Sequence, residues 1–176
     1  FAGGAEYNVD FSNGPKLYIG ADGETLVNGT LAHAFSADGK TVEFAVPVSE
    51  FSGAPEAVDL HVDVNNEVFL PTDYEAYTYT VGAPTTEPPA PPPPPPPPPT
   101  PVGDIEINGD LADWTAGDRL EVPGSGVDGY ALYGKFTGDA FVFALKADAV
   151  SIGEGTTVWL NSDQDKSTGH QIWGFA

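Results

Sequence analysis

Nine consecutive prolines, Pro91 to Pro99, stand in the middle of this 176-residue chain and limit what it can fold into. Proline has no amide proton and a fixed φ, so such a run enters neither a helix interior nor a central strand. With Thr85-Thr86-Glu87-Pro88-Pro89-Ala90 before it and Thr100-Pro101 after it, residues 83–102 form a linker between two portions, 1–82 and 103–176. Its preferred state is polyproline II at roughly 3.1 Å per residue, so residues 88–101 reach about 40 Å. A compact domain of about 150 residues is roughly 40 Å across, so the linker can run the length of one domain. It acts either as a stiff, passive spacer or as a rod packed on aromatic side chains.

Both flanking portions show the period of β-strands. Tyr7, Val9 and Phe11 alternate with Glu6, Asn8 and Asp10, and Val42, Phe44, Val46 and Val48 with Glu43, Ala45 and Pro47. Val58, Leu60, Val62 and Val64 alternate with Asp59, His61, Asp63 and Asn65. One side of each strand is therefore apolar. Beyond the linker, Ile105 and Ile107, then Tyr130 to Phe136, Phe141 to Leu145 and Thr156 to Leu160, continue the pattern. Turn signals separate the strands: Asn13-Gly14-Pro15, Ala21-Asp22-Gly23, Asn28-Gly29, Asp38-Gly39, Asn65-Asn66, Asn108-Gly109 and Thr137-Gly138-Asp139. No stretch carries a helical period. These signs predict an all-β antiparallel sandwich, jelly-roll or immunoglobulin-like, split into two halves by the polyproline linker.

The chain starts with Phe1-Ala2 and ends with Phe175-Ala176, and strand alternation runs up to both ends. It therefore reads as slightly more than one period of a longer repeating sequence. Joining 103–174 to 1–82 makes one uninterrupted domain of about 150 residues. On this reading residues 1–82 are the C-terminal part of one sandwich, and 103–176 the N-terminal part of the next copy.

Composition narrows the setting. There is no Cys and no Met, which removes disulfides, thiol chemistry and Cys-based metal sites. Asp and Glu number 26 against six Lys and Arg, for a formal charge of −20. Such a surface repels phosphate backbones and anionic headgroups, so nucleic acid and membrane surfaces are poor partners. No apolar run is long enough to span a bilayer. Acidity without cysteine fits a secreted bacterial protein at the cell surface or in an extracellular medium whose cations screen the repulsion.

Ile105-Glu106-Ile107-Asn108-Gly109-Asp110-Leu111-Ala112-Asp113-Trp114 and Thr157-Val158-Trp159-Leu160-Asn161-Ser162-Asp163-Gln164-Asp165-Lys166-Ser167-Thr168-Gly169 carry a resemblance. The first resembles the entry strand and turn of family 9 carbohydrate-binding-module-like and DOMON-like sandwiches; the second resembles an inner segment of such domains in large secreted repeat proteins. Thr41 to Pro47 resembles their late strand, ending in a Val-Pro step. The match runs in circularly shifted order, and implies the sandwich more specifically than any ligand.

The best chemical constellation is the stretch 161–169. Oxygen side chains at alternate positions of a tight turn, Asn161, Asp163, Asp165 and Ser167, suit a Ca²⁺ ion, which accepts six to eight oxygens at flexible angles. There is no closing acid of the EF-hand kind, and Glu6 of the other portion or backbone carbonyls can complete the shell. The plain alternative is a polar hairpin whose Asp and Asn bond their own backbone.

Asp59, His61 and Asp63 share one polar strand face, which fits a solvated surface better than a metal site. His33 and His170 have no partner in the spacing. No nucleophile or paired-carboxylate context is present, so no enzyme is expected. Trp114, Trp159 and Trp173, with Tyr130 and Tyr133, stack on sugars or prolines if exposed and fill the core if buried. Asn28-Gly29-Thr30 matches a glycosylation sequon and equally an ordinary turn.

Three organisations stand. In the first, the chain is a structural repeat of an extracellular adhesin, surface-layer or filament protein, and neighbouring copies complete one another's sandwiches. In the second it is a calcium-stabilised carbohydrate-binding module, which needs exposed Trp114, Trp159 or Trp173 beside polar groups. In the third, both halves close on each other within one chain, as a circular permutant tied by the linker.

Overall fold

Alternating apolar and polar residues become strands here because each strand can turn its apolar side to a shared interior. The computed structural model describes residues 4–12, 16–19, 25–71, 76–82, 105–120 and 127–171. The linker, Trp173 and the turns Asn13-Gly14-Pro15 and Ala21-Asp22-Gly23 lie outside them.

The first portion supplies β1 (Gly4–Ala5), β2 (Tyr7–Asp10), β3 (Lys16–Ile19), β4 (Thr25–Thr30), β5 (Ala32–Phe35), β6 (Thr41–Pro47), β7 (Ala57–Val64), β8 (Val68–Leu70) and β9 (Tyr77–Thr80). The second supplies β10 (Arg119–Leu120), β11 (Tyr130–Phe136), β12 (Ala140–Ala147), β13 (Thr157–Asn161) and β14 (His170–Gln171). Two sheets result, ordered β10-β11-β12-β6-β5 and β4-β3-β2-β13-β7-β8, with β9 paired to the other half of β7 and a small β1-β14 ladder beside them. Every pairing among them is antiparallel. The protein is an all-β sandwich.

Strands from the two sides of the linker interleave in both sheets. β12 lies against β6, with Phe143 opposite Phe44 and Leu145 opposite Val42. β13 is inserted between β2 and β7, with Val158 opposite Val9 on one side and Val62 on the other. One apolar interior follows: Val9, Val42, Phe44, Val58, Leu60 and Val62 from one portion meet Phe141, Phe143, Leu145, Val158 and Leu160 from the other, all 0 % exposed. Burying each such side chain stabilises the fold by about 1.5–3 kcal/mol, so neither set is covered without its complement.

Polar clamps reinforce the junction. Asn65, at φ 59° in the Asn65-Asn66 turn, accepts from Gly153 N at 2.7 Å and donates through Nδ2 to Ser151 O at 2.9 Å. Lys40 Nζ donates to Asp148 O at 2.7 Å, and Ile152 N to Gly39 O at 2.8 Å. No helix among the described residues is long and apolar enough to cross a membrane.

Three sequence expectations change. Ile105 and Ile107 belong to no strand: the Glu106 amide donates to Asp113 Oδ2 and the Asn108 amide to Glu43, so segment 105–114 lies as a strap, ending in a 3₁₀ turn at Leu111–Asp113. Asn28-Gly29 is part of β4, next to a register shift in its pairing with β3. The face bearing Asp59, His61 and Asp63 is not open to solvent: Asp59 is 9 % and His61 2 % exposed.

Candidate functional site

The loop after β13 is built from side chains that satisfy backbone donors a few residues on. Asn161 Oδ1 accepts from Gln164 N at 2.6 Å, Asp163 Oδ1 from Asp165 N at 2.8 Å, and Asp165 Oδ1 from Ser167 N at 2.9 Å. Gln164 adopts φ 60° and Gly169 φ 73°. At Gly169 a Cβ would overlap the Ala5–Glu6 backbone, so glycine lets the loop lie against the first portion. The hydroxyl and amide of Ser167 hold the Asp165 carboxyl below its ordinary range.

Glu6 reaches this loop from the other side of the linker. Its Oε2 accepts from Ser162 N at 2.6 Å and Ser162 Oγ at 3.2 Å. Its Oε1 lies 3.1 Å from Thr168 Oγ1, which is also 2.8 Å from Asp163 Oδ2 and 2.9 Å from Asp165 O. A hydroxyl has one proton, so Glu6 and Asp163 compete for a single donor. Glu6 thus lies against the loop through Ser162 and Thr168, while Asn161, Asp163, Asp165 and Ser167 make the short-range turn bonds of the plain alternative. Among the described residues no group of three or more His, Asp or Glu side chains is arranged to hold a metal ion.

The tryptophans with described positions are buried. Trp114 is 8 % exposed, with Tyr133 at 5.8 Å between ring centroids and Lys135 Nζ 5.9 Å from its ring. Trp159 is 9 % exposed and packs with Ala5 and Ala76. Neither offers a free ring face to a sugar; Trp173 lies outside the described residues. The large apolar side chains exposed among the described residues, Phe35 and Phe69, sit on different sheets and form no stacking pair. An open groove of about 460 Å³ runs between Ser36, Asp38, Asn108 and Asp110, and no aromatic side chain lines it.

Asp63 Oδ1 and Asn8 Oδ1 are buried with no hydrogen-bond partner among the described residues. Burial pushes the Asp63 carboxyl above its ordinary value, against a smaller opposing contribution from the Asn66 amide. A folded-state pKa above the unfolded one means the folded chain holds this proton more tightly. The penalty is therefore absent below the unfolded pKa and complete once pH has risen past the folded one. Asp63→Asn is expected to raise Tm at pH 7 by about 1–3 °C and to leave it unchanged near pH 3, in paired thermal melts.

Sequence reading missed Glu43. It lies on β6 between Val42 and Phe44, so alternation marks it as a solvent-facing position, yet it is 0 % exposed. Its Oε2 accepts from Asn108 N at 2.9 Å and Gly109 N at 2.5 Å, and its Oε1 from Trp114 Nε1 at 2.6 Å. Gly109, at φ 81°, approaches so closely that a Cβ would overlap the Phe35–Ser36 peptide. Only the Gly-x-x-x-x-Trp spacing hinted at this contact, through an indole N–H in need of an acceptor once buried. The chain matches no family model, no curated protein and no solved structure.

Proposed function

We propose that the chain is a structural repeat unit of an extracellular or cell-surface assembly, an adhesin, surface-layer or filament protein, in which neighbouring copies complete one another's sandwiches. The observation that carries this reading is the insertion of β13 between β2 and β7, together with the β6-β12 ladder. A junction that joins residues on opposite sides of a long proline linker closes equally well within one chain or between two, because the paired surfaces are the same. The resemblance to DOMON-like sandwiches of secreted repeat proteins belongs to this proposal. Burial of Trp114 and Trp159 disfavours the carbohydrate-binding alternative.

Calcium forms part of the reading. Two portions of a chain with formal charge −20 meet at Glu6 and Asp163, which share one hydroxyl proton. A divalent ion at Glu6, Asn161, Asp163, Asp165 and Ser167 relieves that competition and ties the portions together. The test is mass as a function of concentration, by analytical ultracentrifugation with calcium and after chelation. Species heavier than the 18.4 kDa chain should grow with concentration, and chelation should shift the balance towards the monomer. A monomer at every concentration with calcium present would reject assembly, and indifference to chelation would reject the ion.

A further inference from the structure

The strap that follows the linker occupies a groove on the outer face of the five-stranded sheet. Ala45, Val142 and Ala144 form its floor, and Ile105, Ile107, Leu111 and Trp114 fill it. Small residues on two neighbouring strands leave room for the indole, and the buried Glu43 carboxylate sits beside that floor. Among the described residues no lysine or arginine is among its hydrogen-bond partners; two backbone amides and an indole N–H satisfy it instead. An apolar peptide landing here without those donors would leave a buried carboxylate poorly satisfied, at a cost that outweighs its own burial.

We infer that this groove is an acceptor site for the strap of a second copy of the chain, and that Glu43 is the residue that selects it. The inference rests on the assembly reading for the identity of the donor. The donor is a strap of the same sequence because the chain's own strap is what the groove holds, and in the sequence it directly follows a proline-rich linker whose extended reach is about 40 Å. Selection requires two features at once: consecutive free amides at Asn108 and Gly109, which the close approach of glycine at φ 81° permits, and an indole N–H five residues beyond Gly109. A merely greasy segment supplies neither, so the groove rejects unrelated apolar strands.

The test uses the full chain carrying Trp114→Ala, which weakens its own strap, and labelled peptides of residues 103–118, with the native sequence or with Trp114→Phe. Fluorescence anisotropy should find the native peptide bound about tenfold or more tightly than the Trp114→Phe peptide, because phenylalanine keeps the ring contact but leaves Glu43 one donor short. Adding Glu43→Leu to the chain should abolish or invert that preference. If that double variant is unfolded by circular dichroism, Glu43→Gln replaces it and should lower the preference to about threefold or less. If Trp114→Ala itself unfolds the chain, Ile107→Ser with Leu111→Ser weakens the strap instead.

Equal binding of both peptides to the Glu43 chain, an unchanged preference after Glu43 is replaced, or no binding of either peptide each overturns the inference. Discrimination between peptides by a chain that stays monomeric at every concentration sinks the assembly reading and leaves the selective groove. Concentration-dependent mass with indifference to the peptides does the reverse.

Discussion

Glu43→Ala is expected to lower the unfolding free energy by about 3–5 kcal/mol and Tm by roughly 10 °C. The loss comes from the donors left behind. Removing the carboxylate strands the Asn108 and Gly109 amides and the Trp114 indole N–H around an empty space on a face where Glu43 itself is 0 % exposed. Each buried, unsatisfied donor costs about 1–3 kcal/mol, partly recovered where water enters. Trp114→Phe should cost less, about 1.5–3 kcal/mol, since the ring still covers Ala45, Val142 and Ala144 and only the charge-assisted bond is lost. Chemical denaturation of the three chains checks the order. A Glu43→Ala chain as stable as the parent would show that the strap is held by apolar contact alone.

Val158→Asp should unfold both portions together. Val158 is 0 % exposed, at the centre of a strand flanked by Val9 and Val62, so the new carboxylate would sit in the shared interior. Burying an unpaired charge costs several kcal/mol beyond the lost packing, on the scale of the whole stability of a domain. The expected result is loss of β-structure at 25 °C, with hydrogen exchange deprotected in β6 and β7 as fully as in β12. A folded remnant made of β2 to β9 alone would mean that the first portion has an interior of its own.

Much of the fold was legible because alternation reports parity directly. β2, β6, β7, β12 and β13 fall where Tyr7-Val9, Val42-Phe44-Val46, Val58-Leu60-Val62, Phe141-Phe143-Leu145 and Val158-Leu160 place them. Parity does not say what covers the other face. For that reason Glu43 and His61 look like surface residues and are 0 % and 2 % exposed. Ile105 and Ile107 have strand spacing too, but the amides between and beyond them bond to Asp113 and Glu43 instead of to a ladder. Spacing cannot tell a paired strand from a strap held by carboxylates.

The loop at 161–169 was legible to a greater depth. Its oxygen-bearing residues recur at every second position, and Asn161, Asp163 and Asp165 accept from amides two or three residues on, as a polar turn requires. Glu6 does lie against it, bonded to Ser162 and Thr168 across the linker. Which strands meet across the junction was not legible, because β12 and β13 are equally apolar on their inward sides and either suits any partner of matching length. The junction also carries clamps whose members are far apart in sequence, such as Asn65 with Ser151 and Gly153, and spacing does not show these either.

Cutting the linker tests the central claim most directly. A protease site is placed within residues 91–99, the folded chain is cleaved to completion, and its mass is followed by native mass spectrometry on dilution through the micromolar range. If the two portions share one interior, residues 1 to the cut and the cut to 176 remain a single folded complex with the parent's circular dichroism. Dissociation into two separately folded pieces would contradict the account.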